Sequence, residues 1–196
     1  MLTTTLSFEN LHNHGELFAN MLRARRELFI VHNKWNLPEA LGMEYDQYDT
    51  PASRWVVVHD KLGRVLAGNR LTPTTTKCGI YTYMIRDAQR GLLDTIPANL
   101  LYEEAPVAET VWESSRLFVS HHVPLVQRRH VHAKLVADLG AAARQVGAKT
   151  CVTLLNANWP LWAGRVGVNM SPMGPVMVID GVRNQVVAMD FSSNLH

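Results

Sequence analysis

Val111-Trp112-Glu113-Ser114-Ser115-Arg116-Leu117-Phe118-Val119 is followed by Pro124, the apolar-periodic stretch Leu125 to Gln145, Gly147, and then Thr150-Cys151-Val152-Thr153-Leu154-Leu155. The first run closes a β-rich segment that begins at Val107, and the last reads as a buried-type strand. Pro124 opens the helix between them and Gly147 stops it. Towards the N-terminus, Arg54 to His59, Asp60-Lys61-Leu62-Gly63 and Arg64 to Gly68 read as a hairpin. Residues 9–33 read as an amphipathic helix, with Leu17, Phe18, Met21, Leu22, Leu28 and Phe29 at three- and four-residue spacing. Pro38 and Gly42 mark a loop that runs to Pro51. Residues 72–105 are irregular, with a short helix near Asp87. A short helix near Pro160 and a hairpin of Val176 to Ile179 with Gln185 to Phe191, turning at Asp180-Gly181, finish the chain. Helix, meander, strand, helix, strand and closing hairpin make an α/β chain with a mixed sheet.

The 196 residues predict one domain, 1–196, large enough for a substantial core. A hydrophobic fraction of 47% with 18% charged residues describes a globular protein, and a net charge of +2 gives no reason to expect a nucleic-acid partner. Met1 to His14 lacks a cationic region followed by an apolar run, so no secretory signal is read there. No stretch approaches the ~18 apolar residues of a membrane span, so no membrane partner is expected. The two cysteines, Cys78 and Cys151, have no metal spacing and fit a reducing cytoplasm. His121, His122, His130 and His132 cluster without HxxxH spacing, and no metal site is expected of them. Met170, Met173 and Met177 read as gap-filling core.

Four strings stand out: Arg25-xxx-Phe29-xxxxx-Trp35; Glu44-Tyr45-Asp46-Gln47-Tyr48-Asp49; Gly68-Asn69-Arg70-Leu71-Thr72-Pro73-Thr74; and Trp112-Glu113-Ser114-Ser115-Arg116-Leu117. Taken singly, each charge reads as an ordinary surface charge. Taken together, Arg25, Arg70 and Arg116 balance Asp46, Asp49 and Glu113, as a desolvated polar network requires. Phe29 and Trp35 add an apolar, aromatic wall, whose faces attract cations. In a regular strand Glu113 and Arg116 face opposite sides. A bulge at Ser114-Ser115 would bring them to one side; otherwise Arg116 braces the other face.

In this order, over residues 20–120, the strings resemble the acyl-homoserine-lactone synthase family, the LuxI-type autoinducer synthases. The resemblance implies a GNAT-like acyltransferase fold whose fourth and fifth strands, here about 109–119 and 150–156, splay around a pantetheine thioester. It implies two substrates, S-adenosylmethionine and an acyl thioester, and no further cofactor. The S-adenosylmethionine amine attacks the thioester, and the carboxylate then closes the lactone and expels methylthioadenosine. Glu113 is the implied base that deprotonates the amine; its other reading is a counter-ion for Arg25 or Arg116. Arg70 resembles the arginine that binds the carboxylate region of S-adenosylmethionine, a task suited to a planar guanidinium. Arg25, Phe29, Trp35 and Arg116 complete that site, and Asp46 and Asp49 orient the amine and the arginines.

Met84, Leu117, Val152, Thr153 and Leu155 are candidates for the acyl pocket, each with plain core packing as its other reading. Ala88 stands where the resemblance implies an aromatic, and Val168, after Gly167, where it implies tryptophan. Val126 to Val131 has no glycine with which to cradle the pyrophosphate of coenzyme A. An acyl carrier protein is therefore the preferred donor, with acyl-coenzyme A as the alternative, and Arg128, Arg129, Lys134, Arg144 and Lys149 are docking candidates or a solvated basic face. Two rival readings are an acetyl-coenzyme A N-acetyltransferase acting on a small amine and a non-catalytic S-adenosylmethionine-binding relative. The first has no use for Trp35, Asp46 and Asp49 together.

Overall fold

The computed structural model describes residues 1–192, which pack into two compact units. The first comprises Met1–Leu71 and Arg116–Leu139, the second Thr72–Ser115 and Gly140 onward.

In the first unit, β1 (Leu2–Leu6) pairs antiparallel with β4 (Arg54–His59), from Leu2 opposite His59 to Leu6 opposite Trp55. β5 (Val65–Pro73) pairs with the other side of β4. Trp55, Val56, Val57 and Val58 are all fully buried, so β4 is covered on both faces and its apolar residues run consecutively rather than alternating. The expected helix over 9–33 is three pieces: a 3-10 turn (Leu11–Asn13), α1 (Leu17–Arg26) and a π-helical turn (Glu27–His32). α1 presents Leu17, Met21 and Leu22 to a core shared with Leu6, Trp55 and Val57. β1 escaped the sequence reading because its three threonines carry β-propensity in their branched Cβ but little hydrophobicity. The loop before Pro51 holds a two-rung hairpin, β2 (Glu39–Ala40) and β3 (Met43–Glu44).

In the second unit, the start of β6 (Val111–Val119) runs parallel to β7 (Thr150–Asn156); between them the chain passes through α3 (Leu125–Gln145), which belongs to the first unit as far as Leu139. The register extends only from Val111 opposite Thr150 to Glu113 opposite Val152, while β7 continues to Asn156. The two strands part after their third rung, in the places the sequence assigned to splayed strands. β10 (Val182–Asp190) pairs antiparallel with β7, with β9 (Met177–Ile179) and with β8 (Asn169–Pro172), a strand that sequence reading missed. Asp180 and Gly181 both have positive φ, the backbone a tight two-residue hairpin turn requires. Two short helices complete the unit: α2 (Met84–Gln89) near Asp87, and α4 (Trp159–Val166) with Pro160 in its first turn. Among the described residues no helix is long and apolar enough to cross a membrane.

Gly174 fixes one close approach in this unit. A Cβ built there would lie 1.9 Å from the Leu100 carbonyl oxygen. Gly174→Ala is therefore expected to destabilise the protein by more than about 2 kcal/mol, the upper range for overpacking against rigid neighbours. A wild-type midpoint in chemical denaturation would show that the two backbones separate freely.

Candidate active site

The charged strings converge in the first unit on one buried network. Arg25, 1% exposed, projects from the last turn of α1. Its Nη1 and Nη2 donate to the two Asp49 oxygens at 2.8 and 3.0 Å, and its Nε donates to Glu44. Arg70, fully buried on β5, grips Asp46 with both Nη atoms and lies 3.0 Å from Asp49 Oδ1. The Arg116 guanidinium reaches Asp46 Oδ2 at 2.8 Å and Glu44 Oε1 at 3.2 Å. Three guanidinium groups thus meet three carboxylates, and the set is neutral.

The third carboxylate of this network is Glu44, which sequence reading passed over. It was visible in the quoted string, at one end of Glu44-Tyr45-Asp46-Gln47-Tyr48-Asp49. β3 carries Glu44 and the turn after it carries both aspartates. Asp46 Oδ1 accepts from the Tyr48 backbone N–H, Asp49 Oδ2 from that of Asp46, and Asp49 Oδ1 from Trp55 Nε1 at 2.9 Å. Burial alone would raise the pKa of each aspartate, but Arg70 and Arg116 together outweigh it at Asp46, and Arg70 and Arg25 together at Asp49, so both are held below the usual carboxylate range. Burial likewise opposes the charge on Arg25, yet Asp49 and Glu44 overcome it and raise its pKa.

Phe29 and Trp35 stack almost parallel, with centroids 5.1 Å apart. The π-helical turn sets Phe29 into the core, and the Trp35 N–H closes onto its carbonyl oxygen. Phe29 is 4% exposed, while Trp35 remains 41% exposed. The Arg116 guanidinium lies 5.8 Å from the Phe29 ring centre, and Phe118 meets that ring edge-on. A bulge is expected at Ser114-Ser115 from the sequence; the backbone departs from the strand conformation one residue later, at Arg116, whose φ of +53° is left-handed within β6.

In the second unit Glu113 is fully buried, and its carboxylate accepts the backbone N–H of Ile85 at 2.8 Å and of Met84 at 3.3 Å. These are free N–H groups at the start of α2, so Glu113 holds that helix in place. Of the acyl-pocket candidates, Met84 opens α2, while Val152 and Thr153 lie buried where β6 and β7 part; Leu155 is half-buried. Leu117 belongs to the first unit. Ala88 is fully buried on α2, and Val168 is buried after α4. On α3, Arg128 donates to the Val119 carbonyl and Lys134 pairs with Asp138 at 2.9 Å, whereas Arg129 and Arg144 are exposed, as is Lys149 in the connection to β7. The His121 ring lies beside those of His32 and His122, and among the described residues no group of three or more His, Cys, Asp or Glu could hold a metal ion.

Removing one partner from a buried charge network strands the others. Glu44→Ala is expected to destabilise the protein by about 3–5 kcal/mol; a loss below about 1 kcal/mol in chemical denaturation, the size of a surface pair, would show that water screens the network. Because the folded pKa values of Asp46 and Asp49 lie below their unfolded ones, their contribution is complete above about pH 4 and is lost as pH falls through the folded values. Denaturation midpoints should hold from neutral pH to about 5 and drop below about 4, less steeply in Asp49→Asn.

A family model described as autoinducer synthase matches residues 9–194. An acyl-homoserine-lactone synthase of Vibrio anguillarum is 26% identical over 159 residues, covering 80% of this chain and 76% of the relative. Among solved structures, TofI in a ternary complex with an inhibitor and MTA superposes with a TM-score of 0.77 at 24% identity, covering 97% of this chain and 92% of that one. BjaI, a CoA-dependent acyl-homoserine lactone synthase solved with SAM and isopentyl-CoA, gives 0.78 at 20% identity, covering 97% and 83%. An acyl-CoA N-acyltransferase from Pseudomonas aeruginosa gives 0.60 at 15% identity, covering 96% and 99%. The fold is thus that of the GNAT-like acyltransferases. With the family model matching nearly the whole sequence, the chain belongs to the autoinducer synthase family.

Proposed function

We propose that this chain is an acyl-homoserine-lactone synthase that acylates S-adenosylmethionine and closes the product to a lactone. The observation that carries the reading is the neutral network of Arg25, Arg70, Arg116, Glu44, Asp46 and Asp49 beside the Phe29–Trp35 stack. A conventional acetyltransferase has no use for so elaborate a desolvated array. A zwitterionic amino acid joined to a sulfonium and an adenine uses all of it. The exposed Trp35 face offers a cation an aromatic contact, and Arg116, its side chain 12% exposed, is the guanidinium open to a carboxylate. Arg25 and Arg70, fully covered, act through the aspartates that they orient.

In the first step the α-amine, freed of its proton, attacks the thioester carbonyl; an amide forms and the carrier thiol leaves. Glu113 receives that proton, directly or through water, on a carboxylate whose position α2 fixes. In the second step the substrate carboxylate attacks its own γ-carbon, the C–S bond breaks, and methylthioadenosine departs with the electron pair. The sulfonium is already a good leaving group, so this step calls for little acid–base assistance. The donor is an acyl group on a carrier protein: Val126 to Val131 lacks a glycine-rich phosphate cradle, and exposed Leu125, Val126 and Arg129 present apolar and basic contacts at the start of α3. These substrates place the enzyme in the cytoplasm.

Purified protein incubated with S-adenosylmethionine and either acyl-carrier protein or acyl-coenzyme A should release methylthioadenosine and a lactone, read by mass spectrometry, faster with the carrier protein. Acyl transfer to unrelated amines without methylthioadenosine release would overturn the reading. Trp35→Ala should weaken S-adenosylmethionine binding about tenfold, as packing and cation attraction go together; unchanged affinity in calorimetry removes Trp35 from the site. Glu113→Gln should slow single-turnover acylation by roughly 10²–10⁴-fold if Glu113 is the base. A variant that melts earlier but acylates normally would leave Glu113 only the role of holding α2.

A further inference from the structure

A second cluster of cations lies in the second unit, around a cavity of about 360 Å³ lined by Lys77, Gly79, Ile80, Thr82, Arg86 and Arg90. Two elements build it. The Cys78–Tyr81 turn is closed by paired backbone hydrogen bonds between those residues, with Gly79 at its tip in a left-handed conformation. α2 and the residue that ends it contribute Arg86 and Arg90, one helical turn apart. Arg90 ties the elements together, since its Nη1 donates to the Ile80 carbonyl at 3.3 Å and to Asp87 Oδ1 at 3.2 Å.

The charges around this cavity do not balance. Asp87 is fully buried, and its oxygens already accept from the Thr82 N–H and hydroxyl at 2.8 and 2.7 Å. Its pairing with Arg90 leaves Lys77 and Arg86, which form no ion pair among the described residues. Like charges four residues apart on a helix repel, and a lysine on the facing turn adds to that. An anion in the cavity would relieve the repulsion. A surplus of two positive charges matches a phosphate monoester, which carries about −1.5 to −2 near neutral pH, and a guanidinium fork suits its oxygens.

We propose that the Lys77–Arg86–Arg90 cavity binds the phosphate group of a ligand. The inference does not rest on the proposed reaction. The phosphate belongs either to the pantetheine-bearing donor or to a free nucleotide, and one experiment separates these sources. Inorganic pyrophosphate is titrated calorimetrically at fixed ionic strength into the wild type, Lys77→Glu/Arg86→Glu and the milder Lys77→Met/Arg86→Gln, with coenzyme A and ATP as competitors. The wild type should bind pyrophosphate, and the charge-reversed variant should bind at least about tenfold more weakly, the loss expected when two charge-assisted contacts go. The neutral pair should lie between, with all three melting alike. Displacement by coenzyme A but not by ATP assigns the site to the donor's pantetheine phosphate, and displacement by ATP assigns it to a nucleotide. No heat with wild type at about 10 mM pyrophosphate, where a millimolar site would be largely filled, overturns the proposal. So does equal affinity in a folded variant.

Discussion

Six charged side chains taken out of water together set the terms for the first unit. Desolvating an isolated carboxylate or guanidinium costs several kcal/mol after relaxation, so none of the six could be buried alone. They are buried because Arg25, Arg70 and Arg116 each meet two carboxylates, while Glu44, Asp46 and Asp49 each meet two guanidinium groups. The surroundings follow from that closure. The turn from Glu44 to Asp49 is pinned by its own backbone N–H groups, Trp55 enters the core with its indole N–H on Asp49, and Tyr48 packs against the Arg70 guanidinium.

A network of this kind gives shape more than stability. Replacing buried ion pairs with apolar residues often costs nothing or even stabilises. What hydrocarbon cannot provide is a fixed arrangement of charges, in which the partly exposed Arg116 is held by the buried carboxylates of Glu44 and Asp46. The left-handed backbone of Arg116 belongs to the same economy. A non-glycine residue pays about 1–3 kcal/mol to sit there, and the contacts to Glu44, Asp46 and Phe29 hold it in place.

Much of the fold was legible where the chain punctuates itself. Pro124 and Gly147 bracket α3, and the Asp180-Gly181 turn announced the last hairpin. β1 and β8 were not legible, since their sequences carry little apolar signal and their strand state comes from the neighbours they pair with. The break of the first helix into α1 and a π-helical turn was equally silent, because the apolar spacing of Leu17 to Phe29 suits an unbroken helix. Of the site, the motif residues in Arg25 to Arg70 and Arg116 were found by type and order. Glu44 was not, because in the sequence Glu113 already balances the count of charges, and its backbone partners on α2 are supplied only by three-dimensional packing.

The order of the network along the chain gives its assembly a direction. Arg25 leaves the ribosome first, then Glu44, Asp46 and Asp49, then Arg70, and Arg116 only after a further forty-odd residues. Between Asp49 and Arg70 the nascent set holds three carboxylates against one guanidinium. Closing the core at that stage would bury unpaired negative charge at a cost of several kcal/mol per ion, which disfavours collapse of the first unit before its cations are made. The arrival of Arg116 neutralises the set, and with α3 following on the same stretch of chain, the last cation and the last helix of that unit emerge in succession. The order of these signs along the chain thus sets an electrostatic cost on closing the core early.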